Sequence, residues 1–155
     1  MAVAADGGGL ELGPTGWVDM YTKPKVDVHE MAGNDVAGLW MVGSQGLVLT
    51  HTDTGWTSVD SGTDKDLNDV LVSEDGAVWM VGDEGRIIHV TVDGEIVASN
   101  VGVPVALNGV ALGPEHIYVC GKGGTLMKST LEPDATFTPI LSGTPADLNL
   151  SLIHI

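Results

Sequence analysis

Val78-Trp79-Met80-Val81-Gly82-Asp83-Glu84-Gly85 decides the fold, because its pattern occurs three times in the chain. Leu39-Trp40-Met41-Val42-Gly43 stands 39 residues before Val78-Trp79-Met80-Val81-Gly82, and Ile117-Tyr118-Val119-Cys120-Gly121 stands 39 after it, aligned without a gap. Gly46, Gly85 and Gly124 keep the same interval, and Trp17 and Trp56 are also 39 apart. A second series drifts slightly: Leu67-Asn68, Leu107-Asn108 and Leu148-Asn149, with Ser61-Gly62-Thr63 returning as Ser142-Gly143-Thr144. Self-similarity at a fixed period of this length is the mark of a repeat architecture.

Around each apolar run the unit reads as four short strands. In the clearest unit these are residues 67–73, 77–81, 86–91 and 95–99, separated by Glu74-Asp75-Gly76, Gly82-Asp83-Glu84-Gly85 and Val92-Asp93-Gly94. Asp-Gly and Gly-x-x-Gly supply the positive φ values that tight hairpins need. No segment shows a 3.6-residue apolar period with caps. Four antiparallel strands per unit of about 39 residues predict an all-β chain of β-propeller blades. The unbroken run Val-Trp-Met-Val, in place of strict alternation, predicts a strand covered on both faces, which blades stacked about an axis provide. Trp40, Trp79 and Tyr118 are therefore expected in the core. Cys120 aligns with Val42 and Val81 and is expected to be a small buried apolar residue.

Three full units fit, 28–62, 67–102 and 107–143, inside a repeat region spanning 1–150. Gly9-Leu10-Glu11-Leu12 and Gly16-Trp17-Val18-Asp19-Met20 match the last two strands of a unit, and Leu148-Asn149-Leu150 begins another. These partial units either join into a fourth blade that closes a small ring or belong to an incomplete ring, a fragment of a larger propeller. The incomplete ring is the expectation, because a fourth blade would lack a strand. Residues 151–155, Ser-Leu-Ile-His-Ile, read as a non-native tail and are set aside from fold and site.

The stretches 55–63 (Gly-Trp-Thr-Ser-Val-Asp-Ser-Gly-Thr), 67–70 (Leu-Asn-Asp-Val), 78–89 and 121–130 resemble the blade repeat of photosystem II stability/assembly factor-like propellers, within the wider BNR and sialidase-like group. The resemblance covers roughly residues 9–150 and implies the propeller fold. Thr52-Asp53-Thr54-Gly55-Trp56 is a degenerate form of the group's Asp-box turn, which implies a brace and no chemistry. The assembly-factor members are associated with a basic surface patch. This chain has Arg86 as its one arginine and five lysines, so that role does not transfer. The sialidase members hold a carboxylate with three arginines beside a Tyr nucleophile, a set this chain cannot assemble.

Six Lys and Arg face 21 Asp and Glu among 155 residues, a formal charge of −15. Such a balance excludes an electrostatic nucleic-acid binder and a polybasic membrane-surface protein. It predicts adaptation to high salt, as in a halophilic microorganism, and a partner that is basic or neutral. Apolar residues at 43% support a packed core. No run of about 18 apolar residues is present, so membrane insertion is not expected. Met1 to Leu12 lacks the features of a secretory leader. The single Cys120 excludes an internal disulfide.

No catalytic, cofactor or metal set emerges. His29, His51, His89, His116 and His154 lack ligand spacing and read as structural or surface histidines. Asp64, Asp66 and Asp69 read as a solvated loop in preference to a calcium site. The chain is thus expected to be a non-catalytic interaction platform. A glycan-binding or sialidase-like propeller, with its catalytic residues outside this chain, is the alternative. The candidate interaction surface comprises Trp17 and Trp56, which follow glycines at turns, with Asp64, Lys65 and Asp66; the loops 60–66, 100–106 and 142–146 form its rim. The partner is a protein or glycan, and open blade edges predict self-association.

Overall fold

The computed structural model describes residues 2–3, 9–13, 16–21, 26–132 and 135–149. Three antiparallel sheets of four strands follow one another in chain order. The first blade is β4 (Val28–Asn34), β5 (Gly38–Gly43), β6 (Val48–Thr52) and β7 (Gly55–Ser58). The second is β8 (Leu67–Val72), β9 (Val78–Gly82), β10 (Arg86–Val90) and β11 (Ile96–Asn100). The third is β12 (Leu107–Leu112), β13 (Ile117–Gly121), β14 (Leu126–Ser129) and β15 (Thr138–Pro139). A three-stranded sheet precedes them: β1 (Ala2–Val3), β2 (Gly9–Gly13) and β3 (Gly16–Tyr21). The two N-terminal strands expected from the sequence pair as β2 and β3. The very short β1, too brief to show a pattern, joins them. Leu150 and the tail 151–155 lie outside the described residues.

The first strands β4, β8 and β12 lie side by side, so each blade presents its first strand to its neighbour. The sheets form an arc of propeller blades, an incomplete ring. The middle blade shows why its strands need not alternate. Val78 and Met80 of β9, with Ile88 and Val90 of β10, face the first blade, where Val42 and Val48 meet them. Trp79, Val81 and Ile87 face the third blade, meeting Leu107, Val110, Ile117, Val119, Met127 and Phe137. Every residue of β9 is buried. Burial of each such side chain contributes roughly 1.5–3 kcal/mol, so two inter-blade cores carry the arc.

Trp79 is buried, but Trp40 and Tyr118 are only half-buried, which corrects the expectation that all three sit in the core. Tyr118 is only half-buried because its face of β13 is opposite to that of Ile117 and Val119, which pack on the second blade. Trp40 packs at the edge of the first core and donates its indole N–H to the Ala37 carbonyl at 3.0 Å. Cys120 is buried as expected. In β15 the proline sits on an outer strand, where its missing N–H removes no ladder bond.

Each second and third strand is joined by the same three-residue 3-10 turn: Ser44–Gly46, Asp83–Gly85 and Lys122–Gly124. The closing glycine has φ of 70°, 73° and 72° in turn. A Cβ there would also strike the carbonyl oxygen of Thr63, Val103 or Thr144, so glycine is required on both counts. The residue before it is left-handed as well, at φ 56° in Gln45, 57° in Glu84 and 63° in Gly123.

Candidate functional site

The drifting Leu-Asn series is a set of clasps between blades. Each first strand carries a bulge after its opening residue, at Val28/Glu30, Leu67/Asp69 and Leu107/Gly109. The bulged residue reaches the opening residue of the next blade. His29 Nδ1 donates to the Leu67 carbonyl at 2.8 Å, Asn68 Nδ2 to Leu107 at 2.9 Å, and Asn108 Nδ2 to Leu148 at 3.2 Å. Leu148 in turn donates its N–H to the Gly121 carbonyl, so the residues after the third blade dock as the start of another first strand.

Carboxylates form a second set of clasps. Asp66 accepts the Gln45 N–H of the previous blade's turn at 2.9 Å, and Asp147 accepts that of Gly123 at 2.9 Å. Asp69 accepts its neighbour Val70 N–H at 2.9 Å and, across the blade boundary, Val110 N–H at 2.8 Å. Burial pushes its carboxyl up to about 6; the two backbone donors oppose that shift, and the nearby Glu30 charge adds to it. Asp66 and Asp69 are therefore structural clasps rather than members of a solvated loop. Of the three aspartates only Asp64 has a largely exposed side chain, 89%.

Asp64, Lys65 and Asp66 lie at the end of the blades that carries the 3-10 turns, whereas Trp56 lies at the other end, its partner His51 being paired with Leu39 at the start of β5. Lys65 Nζ pairs with Glu84 at 3.1 Å and with Asp64 at 3.9 Å, which raises the Lys65 ammonium pKa, chiefly through the Glu84 hydrogen bond. Trp56 lies on the outer strand β7, half-buried, edge-on to His51 at 5.1 Å. Trp17 lies on β3, and its side chain is outside the described residues. Of the rim loops, 60–66 is held inward by Ser61 Oγ, which donates to the Gly46 carbonyl at 2.7 Å.

The large concavity lies toward the opposite end. An open cavity of about 1160 Å³ follows the first strands past Glu30, Met31, Asp69 and Val70 and runs between the second and third blades. There its wall is Leu71, Val92, Leu112 and Leu131, and Glu74 and Asp75 stand in the turn after β8. Among the described residues its lining holds four carboxylates, one histidine and neither lysine nor arginine.

The histidine is His89, which the sequence alone offered only as a structural or surface residue. Its imidazole is 5% exposed, although it lines the cavity. It stacks on Trp79, its cross-strand partner, with ring centres 3.7 Å apart and planes 8° from parallel. Nδ1 is buried with no hydrogen-bond partner. Burial lowers the His89 pKa, partly offset by the Asp75 charge. Asp75 is itself held below the usual carboxylate range by Ser73 Oγ–H, which donates to it at 2.5 Å, and by Ala77 N–H. The signal was available in the repeat: the β5–β6, β9–β10 and β13–β14 pairs place Thr50, His89 and Lys128 opposite the aromatic column. One polar, varying position inside an apolar strand is where a grafted site would lie.

The class defined by this geometry is a β-propeller arc. A solved structure described as "YCF48 bound to D1 peptide" matches 97% of this chain with a TM-score of 0.70 at 16% sequence identity. The chain covers 53% of that structure's chain, about half its length. The likeness is one of fold, and it is the propeller fold that the repeat resemblance implied. No family model matches the chain, and no curated protein matches it. No helix among the described residues is long and apolar enough to cross a membrane.

Proposed function

We propose that this protein is a non-catalytic propeller module that holds an extended polypeptide segment of a partner along its inner strands. The observation that carries this reading is the 1160 Å³ cavity with its apolar wall and acidic lining. Drug-sized ligands occupy roughly 300–1,000 Å³, so the space suits a stretch of several residues better than a small metabolite. An acidic lining selects basic or neutral segments. The matched YCF48 structure was solved with a peptide bound, which supports a peptide-holding role for this kind of fold. The acidic surface, at −15, suits work in a salt-rich medium.

Selection from a random peptide library on the full chain tests the proposal. The expected result is enrichment of segments mixing apolar and basic residues, displaced by substitutions at Met31, Leu71 or Leu131. Selection of no peptide, or of peptides displaced only by substitutions at Asp64 or Lys65, would refute it. The second outcome would place recognition on the rim that carries the 3-10 turns. Binding of a glycan array instead would favour a lectin-like propeller.

A further inference from the structure

His89 is a costly residue where it stands. It interrupts the apolar strand Arg86-Ile87-Ile88-His89-Val90, is almost fully buried, and leaves Nδ1 without a partner on the protein. A buried polar atom left unpaired destabilises the fold unless something outside the chain meets it. Trp79 lies flat beneath the ring and fixes its plane, so the imidazole edge is held in one orientation at the cavity wall. Asp75 stands near enough for its charge to act on His89, and its carboxylate is anchored by Ser73 and Ala77. Beside the exposed Asp75, Leu71, Val92, Leu112 and Leu131 form an apolar sleeve along the cavity wall, with Val92 and Leu131 also exposed.

We propose that this cleft between the second and third blades is an anchor subsite for a lysine or arginine side chain of the bound polypeptide, with Asp75 as counter-ion and the His89 imidazole as hydrogen-bond acceptor. The sleeve takes the methylene stem and the carboxylate takes the charged head, the division of labour that long basic side chains adopt at apolar surfaces. No lysine or arginine lines the cavity among the described residues, so nothing on that lining competes for the anion. Burial keeps His89 uncharged near neutral pH, which leaves one ring nitrogen with a lone pair to accept a hydrogen bond and avoids repelling the guest. The subsite rests on the polypeptide reading above and adds the side chain it selects.

The test uses the full chain and three capped pentapeptides, acetyl-Leu-Val-X-Val-Leu-amide, with arginine, the uncharged isostere citrulline, or glutamate at X. Calorimetry should show the arginine peptide binding about tenfold tighter than the citrulline peptide, with the glutamate peptide weakest. Asp75→Asn, a change at an exposed turn, should erase the difference between arginine and citrulline. In the unmutated protein, the His89 ring nitrogens should shift in NMR spectra during titration with the arginine peptide and stay still with the glutamate peptide. Equal affinities for arginine and citrulline, or unmoved His89 nitrogens, would overturn the subsite and leave polypeptide binding intact. Failure of all three peptides to bind would overturn both.

Discussion

Replacing Ala106 with asparagine should stabilise this protein by about 1 kcal/mol. Ala106 occupies the position that Asp66 holds one blade earlier and Asp147 one blade later. Its backbone is placed alike: the Ala106 carbonyl accepts Lys122 N–H at 3.0 Å, as the Asp66 carbonyl accepts Asp83 N–H at 2.9 Å. At the sibling positions a side-chain oxygen crosses to the preceding turn, reaching Gln45 N–H and Gly123 N–H at 2.9 Å each. Ala106 has no such oxygen, so the corresponding N–H of Glu84 goes without this clasp. Asparagine supplies an acceptor of the same reach and adds no charge beside Asp83 and Glu84. For a chain of this size, about 1 kcal/mol corresponds to a rise of roughly 2–4 °C in Tm. Asp66→Ala should lower stability by a similar amount. Urea unfolding followed by tryptophan fluorescence reads both. If Ala106→Asn is neutral or destabilising while Asp66→Ala also has no effect, the carboxylate clasps do not hold the blades together.

Four further outcomes follow from the same geometry and from the net charge. Folding favours the protonated form of Asp69, because its pKa is about 6 in the fold against 3.8 normally. Its contribution is full below pH 3.8 and is lost as pH rises through 6, a difference of at most about 3 kcal/mol. The stability of Asp69→Asn relative to wild type should therefore grow between pH 4 and pH 7, and a constant difference would refute the assignment. His89, whose pKa is lowered, acts with the opposite sign: the stability of its neutral form is lost as pH falls below 6.5, so the wild-type profile alone is a composite. Gly124→Ala should cost at least about 1 kcal/mol through its positive φ and the blocking Thr144 carbonyl. Gly123→Asn should cost little by the same unfolding assay, because open space surrounds it and Gln45 and Glu84 already adopt that conformation. Tm should rise with sodium chloride, as screening relieves a net charge of −15, and a flat or falling Tm would count against salt adaptation.

The blades were legible because period, turn glycines and apolar runs are local signals. Val78 to Gly82 shows its burial on both faces in its own composition. What joins one blade to the next was not legible, because it depends on which strand edges meet. The Leu-Asn series was visible, but its meaning needed the bulge that turns Asn68 toward Leu107. Asp66 and Asp69 looked like solvated residues because nothing in the sequence announces a backbone N–H supplied from another blade. His89 looked like one scattered histidine until its pairing with Trp79 set it in the wall of a cavity. Tyr118 was expected in the core with Trp79, but its face of β13 is the one turned away from the second blade.

The most direct measurement is methyl NMR mapping of the arginine pentapeptide on the full chain. The account predicts that shifts concentrate on Met31, Leu71, Val110, Leu112 and Leu131, which line the cavity. Shifts gathered instead on Val103 and Leu141, in the connectors at the opposite end, would contradict it.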